Sequence, residues 1–84
     1  MYQKLELFYY DACPFCQYVL GTINKLNVKV DLCNIQEDQK CYERLVQDTG
    51  RRTVPCLYID NKAMFESSDI MQWLEDNQEK LEKN

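Results

Sequence analysis

Residues 8–21, FYYDACPFCQYVLG, set Cys13 and Cys16 three apart, after an apolar run and at the mouth of a helical pattern. The six residues 4–9, KLELFY, alternate and then turn apolar, which predicts a strand. Residues 14–27 predict a helix: Val19, Leu20, Ile23 and Leu26 fall on one stripe, and Pro14 suits the first helical position. Gly21 inside that helix is expected to permit close packing, because glycine in a helix interior otherwise costs roughly 1 kcal/mol. The stretch therefore reads as strand, tight connection, helix, with Cys13 at the joint.

The elements continue outward from this joint. Residues 28–33, VKVDLC, alternate as a second strand, and residues 37–49 read as a helix turning Cys41, Tyr42, Leu45 and Val46 inward. Gly50 is placed to stop it. CLYI and KAMFE read as a hairpin about Asp60-Asn61, two residues that tolerate positive φ. Residues 68–80 predict a last helix with Ile70, Trp73, Leu74 and then Leu81 on its apolar side, capped by Ser67 or Ser68. A strand–helix–strand start forces a parallel pair, and the hairpin adds an antiparallel one. The expected fold is α/β: one domain over residues 1–84, a four-stranded mixed sheet in the order β-α-β-α-β-β-α, with helices on both faces.

Composition narrows the function. The 84 residues carry 45% hydrophobic and 29% charged side chains, which suits a folded soluble domain. No apolar run approaches the ~20 residues of a membrane span, and no leader pattern opens the chain. Net charge is −4 and the densest basic run is Arg51-Arg52, so neither nucleic acid nor membrane is an expected partner. Five cysteines (13, 16, 33, 41 and 56) and no leader do not form a disulfide framework. The chain is therefore placed in a reducing, cytoplasmic compartment with most thiols free. Cys33, Cys41 and Cys56 read as buried small hydrophobes, Cys56 being the nearest to the active stretch. The complete lack of histidine removes Cys-His and Ser-His catalysis and any His-ligated metal.

What remains is dithiol chemistry. A sulfur at the start of a helix faces free N–H groups and the positive end of the helix dipole, which favour a thiolate. Cys13 is then the exposed nucleophile and Cys16, one turn deeper on the same face, the resolving thiol. Half a zinc site would need four thiolates converging from separate elements, so no metal is expected. A structural disulfide closing a single turn would constrain little of the unfolded chain.

CPFC after a strand, TVP further on and ESSD opening the last helix resemble a dithiol glutaredoxin over essentially the whole chain. The resemblance implies the thioredoxin fold, a monomer, and a glutathione-dependent oxidoreductase acting on glutathionylated or disulfide-containing proteins in cell redox homeostasis. No bound cofactor is implied; glutathione is the reductant. It also implies a glutathione site. Thr53-Val54-Pro55 would be the cis-proline loop that offers the Val54 backbone to an extended peptide, and Arg52, with Arg51 beside it, would meet the glycyl carboxylate. Ser68 and Asp69 would hold the γ-glutamyl end at the helix start. Phe15 would wall the groove.

Three departures from the family pattern matter. Phe65-Glu66-Ser67-Ser68 replaces the usual Gly-Gly, so that ESSDI is similar to the glutathione site of glutathione transferase N-terminal domains, and Glu66 and Ser67 join the expected site. Tyr10 stands where the family has a cation, and Asp11 adds a negative charge that disfavours a thiolate at Cys13 if it lies close. Phe15 lacks the phenol of the usual tyrosine, a hydroxyl that Tyr9 or Tyr10 would have to supply. Two other functions share these residues: a redoxin reduced directly by thioredoxin reductase, and a glutathione-dependent iron–sulfur carrier built on Cys13.

Overall fold

The computed structural model describes residues 4–83; Met1–Gln3 and Asn84 lie outside the described residues. Strand β1 (Leu5–Tyr9) runs into helix α1 (Pro14–Leu26) through a short turn. Cys13 is the N-cap of α1, Pro14 its first residue, and Asn27 closes it in the left-handed region at φ 57°. Strand β2 (Asp31–Asn34) pairs parallel with β1, Leu7 opposite Leu32 and Phe8 opposite Cys33. Helix α2 (Gln39–Thr49) starts on an Asp38 cap whose side chain accepts from the Lys40 N–H, and stops at Gly50 with φ 71°. Strands β3 (Cys56–Ile59) and β4 (Lys62–Met64) form the hairpin, with Asp60 and Asn61 both at positive φ as that tight turn requires. Helix α3 (Ser67–Asn77) follows, then a single 3-10 turn at Gln78–Lys80.

The sheet order is β2-β1-β3-β4, with β3 antiparallel to both neighbours. Alternation along β1 divides its side chains between two cores. Leu5 and Leu7 join Val19 and Ile23 of α1, Leu57, and Ile70 and Leu74 of α3; Leu81 closes that core. Phe8 faces the other way, with Cys41 and Leu45 of α2 and with Cys56 and Tyr58 of β3. Glu6, buried on the α2 side, is met by both terminal nitrogens of the Arg44 guanidinium. The same guanidinium lies 4.9 Å from the Tyr58 ring centroid. These two layers hold the ends of β1 and α1, and so the turn between them, in one place.

Four expectations shift. The second strand begins at Asp31 rather than residue 28, because Val28 bridges to Lys83 and the Lys29 N–H donates to the Glu82 carbonyl. Residues 28–30 are thus extended against the C-terminal segment, not against β1. The last strand ends at Met64. Helix α3 is capped by Glu66 and not by a serine; no side chain bonds that cap. A Cβ on Gly21 would meet nothing within 4 Å, so this glycine serves no close packing.

Candidate active site

The turn before α1 is cross-tied. The Cys13 N–H donates to the Tyr10 carbonyl at 3.2 Å, and Gln17 Nε2 donates to the Asp11 carbonyl at 2.8 Å. The Cys16 N–H donates to Cys13 Sγ at 3.3 Å, so the sulfur itself caps the helix, at the positive end of its dipole. The folded-over turn also changes one expectation. Cys13 is 5% exposed and Cys16 0%, so the nucleophile is only marginally more open than its partner. Burial, the side-chain hydrogen bond to Cys13 and the Cys13 charge together push the Cys16 thiol up to about 12, with the Tyr10 backbone opposing them. The Cys16 proton is therefore held firmly, while the two sulfurs differ little in access.

Two residues past Cys13, Phe15 lines a groove of 210 Å³ with Thr53, Val54, Pro55, Glu66 and Ser67. Three separate elements supply it: the first turn of α1, the loop before β3 with its cis Val54–Pro55 bond, and the start of α3. Glu66 is the residue of interest at that start. It sits at φ 70° and ψ 112°, a region costly for a residue with a Cβ, on the order of 1–3 kcal/mol. That backbone turns α3 so that Ser67 opens the helix at the groove. Ser68 and Asp69 lie in the same first turn and are exposed, but neither lines the groove.

Arg52 points elsewhere. With Tyr10, Ile35, Gln36, Gln39 and Tyr42 it lines a second cavity of 460 Å³, adjoining the first through Thr53 in the chain. Arg51 is drawn off, its guanidinium 5.0 Å from the Phe65 ring centroid, so the two arginines do not share one task. Tyr10 and Tyr42 both bring phenols to the cavity of Arg52, whereas Tyr9 packs on the α1/α3 core. Sequence reasoning missed Ile35, Gln36, Gln39 and Tyr42. Only Gln39 and Tyr42, one turn apart at the head of α2, left a trace, as a shared helix face. Phe15 and Tyr18 form an exposed edge-to-face pair at 59% and 60% exposure, beside the groove on α1.

The remaining cysteines correct the reading of them as free thiols. Cys33 and Cys41 are joined by a disulfide with Cα atoms 5.7 Å apart. Parallel pairing with β1 turns Cys33 to the side where α2 packs, and Cys41 lies in the first turn of α2, so the two meet across the β2–α2 connection. Cys56 is buried and free, and burial pushes its thiol up to about 12. Among the described residues no group of three or more His, Cys, Asp or Glu side chains is arranged to hold a metal. Nor, among them, is any helix long and apolar enough to cross a membrane.

Comparison with known proteins places this geometry. The profile of the glutathione S-transferase N-terminal domain matches residues 7–82. Glutaredoxin-1 of Variola virus is 30% identical over 75 residues, spanning 82% of this chain and 69% of that protein. Among solved structures, a glutathione transferase homologue from Drosophila mojavensis with bound glutathione superposes with a TM-score of 0.76 at 25% identity, over 89% of this chain and 35% of that one. A thioredoxin-like protein matches 84% of this chain and 99% of its own, with a TM-score of 0.73 at 25% identity. The chain thus spans about a third of the length of the transferase and nearly all of the thioredoxin-like protein. From its profile match and its fold, the chain belongs to the glutathione S-transferase N-terminal domain family, as a glutaredoxin-like protein of thioredoxin-like fold.

Proposed function

We propose that this chain is a glutathione-dependent thiol–disulfide oxidoreductase, with Cys13 as nucleophile and Cys16 as resolving thiol. The observation that carries the proposal is the placing of Cys13 Sγ on the N-cap of α1, next to a groove made by the cis-proline loop and the start of α3. In the first half-reaction the Cys13 sulfur attacks the glutathione sulfur of a glutathionylated protein. The protein thiolate leaves and takes a proton, and Cys13 carries glutathione. A second glutathione attacks that sulfur, releasing glutathione disulfide and Cys13. The backbone of Val54 pairs with the extended peptide, and Ser67, with Ser68 and Asp69 behind it, receives the γ-glutamyl end at the α3 terminus. Arg52, with Tyr10 beside it, takes the opposite carboxylate. Phe15 and Tyr18 give the protein substrate an apolar rim.

Cys16 enters when the substrate is a protein disulfide. It attacks Cys13 in the mixed disulfide, the substrate thiolate leaves, and two glutathiones then reduce the Cys13–Cys16 bond to two thiols. Two of the causes that hold the Cys16 proton, the hydrogen bond to Cys13 and the Cys13 charge, vanish once Cys13 is bonded to another sulfur. Cys16 is then easier to deprotonate at the step that needs it.

The test offers the reduced protein a glutathionylated peptide with glutathione and glutathione reductase, and separately a protein disulfide with thioredoxin reductase. Turnover in the first coupling is expected. Turnover only in the second overturns the glutathione assignment and leaves the dithiol chemistry.

A further inference from the structure

We infer that Cys33–Cys41 is a second redox-active couple, and that its state sets the shape of the Arg52 cavity; the consequence for glutathione rests on the proposed activity. Of the six residues lining that cavity, Ile35, Gln36 and Gln39 lie inside the loop the disulfide closes, and Tyr42 follows Cys41 directly. Two-thirds of the wall is therefore carried by one segment, tied at both ends by a single bond. Apart from that bond, the segment is held by hydrogen bonds near Asn34 and Asp38: the Asn34 side chain accepts from the Gln36 and Glu37 N–H groups, and the Asp38 N–H donates to the Asn34 carbonyl. Gln36, Gln39 and Lys40 are exposed, and the Ile35 N–H reaches back to the Tyr9 carbonyl at 2.9 Å. Beyond the backbone of residues 35–38, the disulfide is what ties β2 covalently to α2.

The bond is also open to exchange. Cys33 lies half-buried on β2, one of the two edge strands of the sheet, whereas Cys41 is buried among Phe8, Leu45 and Cys56. A thiolate reaching the edge attacks Cys33. The Cys33–Cys41 bond breaks, and Cys41 leaves as a thiolate in the first turn of α2, where the helix dipole favours its charge, before taking a proton. A second glutathione attacks the Cys33–glutathione disulfide and leaves Cys33 as a thiol. The sum is one disulfide and two glutathione thiols giving two protein thiols and glutathione disulfide. The oxidant for the reverse direction is glutathione disulfide, which the proposed activity itself produces. Product build-up then re-forms the tie and tightens the arm of the site that holds the carboxylate.

The test has two arms. In the first, the Cys13→Ser/Cys16→Ser chain is equilibrated in graded mixtures of reduced and oxidised glutathione, alkylated and weighed intact, with hydrogen exchange followed over residues 35–42. The Cys33–Cys41 bond is expected to open and close across the series, and exchange in this segment to speed at least about tenfold when it is open. In the second arm, the wild-type chain and the Cys33→Ser/Cys41→Ser chain are assayed with glutathionylated peptide in the glutathione mixtures at which the first arm finds the Cys33–Cys41 bond closed. The variant is expected to show a KM for glutathione raised about threefold with kcat unchanged, as loss of a preorganised wall predicts. Cys33→Ala/Cys41→Val repeats the comparison with apolar replacements, and circular dichroism confirms that each variant is folded. A bond that stays closed in excess glutathione overturns the proposal, as does exchange over 35–42 that ignores it or a KM identical in the folded variants. A chain that turns over no glutathionylated peptide in any form, yet opens the bond and loosens 35–42, supports the couple and overturns only the glutathione assignment.

Discussion

At the scale of single residues, position on the helix separates Cys13 from Cys16. Cys13 caps α1, and the proton on Cys16 is held by burial and by Cys13 itself. The N-cap position of Cys13 was legible in CPFC, since a proline directly after Cys13 fixes where the helix starts. What the pattern did not carry was depth: both sulfurs are buried, in a turn tied by the Tyr10 carbonyl and Gln17 bonds. Asp11, read as a threat to the Cys13 thiolate, is exposed, where solvent and salt screen its charge. Asp11→Asn is therefore expected to change the deglutathionylation rate by less than about twofold at physiological salt. A severalfold increase would show that the carboxylate acts on the sulfur at short range.

At the scale of elements, α1, α2 and the β3–β4 hairpin were readable to within two residues, since each carries a period together with its own stop signal: Pro14 and Asn27, Gly50, Asp60-Asn61. The failures have physical causes. Alternation in VKVDLC reports burial, and Val28 is buried by the C-terminal segment rather than by a ladder to β1. The start of α3 was misread by one residue because Glu66 caps through its backbone, which no preference for Ser or Asp at caps foresees. Gly21 and Gly50 make the contrast measurable. Gly21 is helical, exposed and free of neighbours, so Gly21→Ala is expected to stabilise the chain by about 0.5–1 kcal/mol. Gly50 sits at φ 71°, so Gly50→Ala is expected to destabilise it by about 1 kcal/mol. Urea midpoints that move together for the two variants would contradict this placing of the glycines.

For the molecule as a whole, two thin cores share one sheet, and three buried groups, Cys16 on α1 and Cys56 and Tyr58 on the α2 side, lose protons at high pH. The thiols of Cys16 and Cys56 are pushed from 9.0 up to about 12, and the Tyr58 phenol from 10.0 up to about 12 by burial and its bond to Asp48. The folded chain thus holds these protons more tightly than the unfolded one. The stability they contribute is complete below pH about 9 and is lost as the pH climbs toward about 12. The melting midpoint of the reduced protein is expected to change little between about pH 6 and 8 and to fall steadily above about pH 9. A midpoint still rising at about pH 10 would contradict that burial. The pairing of Cys33 with Cys41 belongs to this scale too. It arises where a sheet edge turns directly into the next helix, and neither cysteine's neighbours in sequence announce it.

Comparing the Cys13→Ser and Cys16→Ser chains, with glutathionylated peptide, glutathione and glutathione reductase, tests the central claim most directly. A Cys13 nucleophile beside a glutathione groove predicts that Cys13→Ser is inactive while Cys16→Ser still turns the peptide over. Activity that survives the loss of Cys13, or that disappears equally with either cysteine, would contradict it.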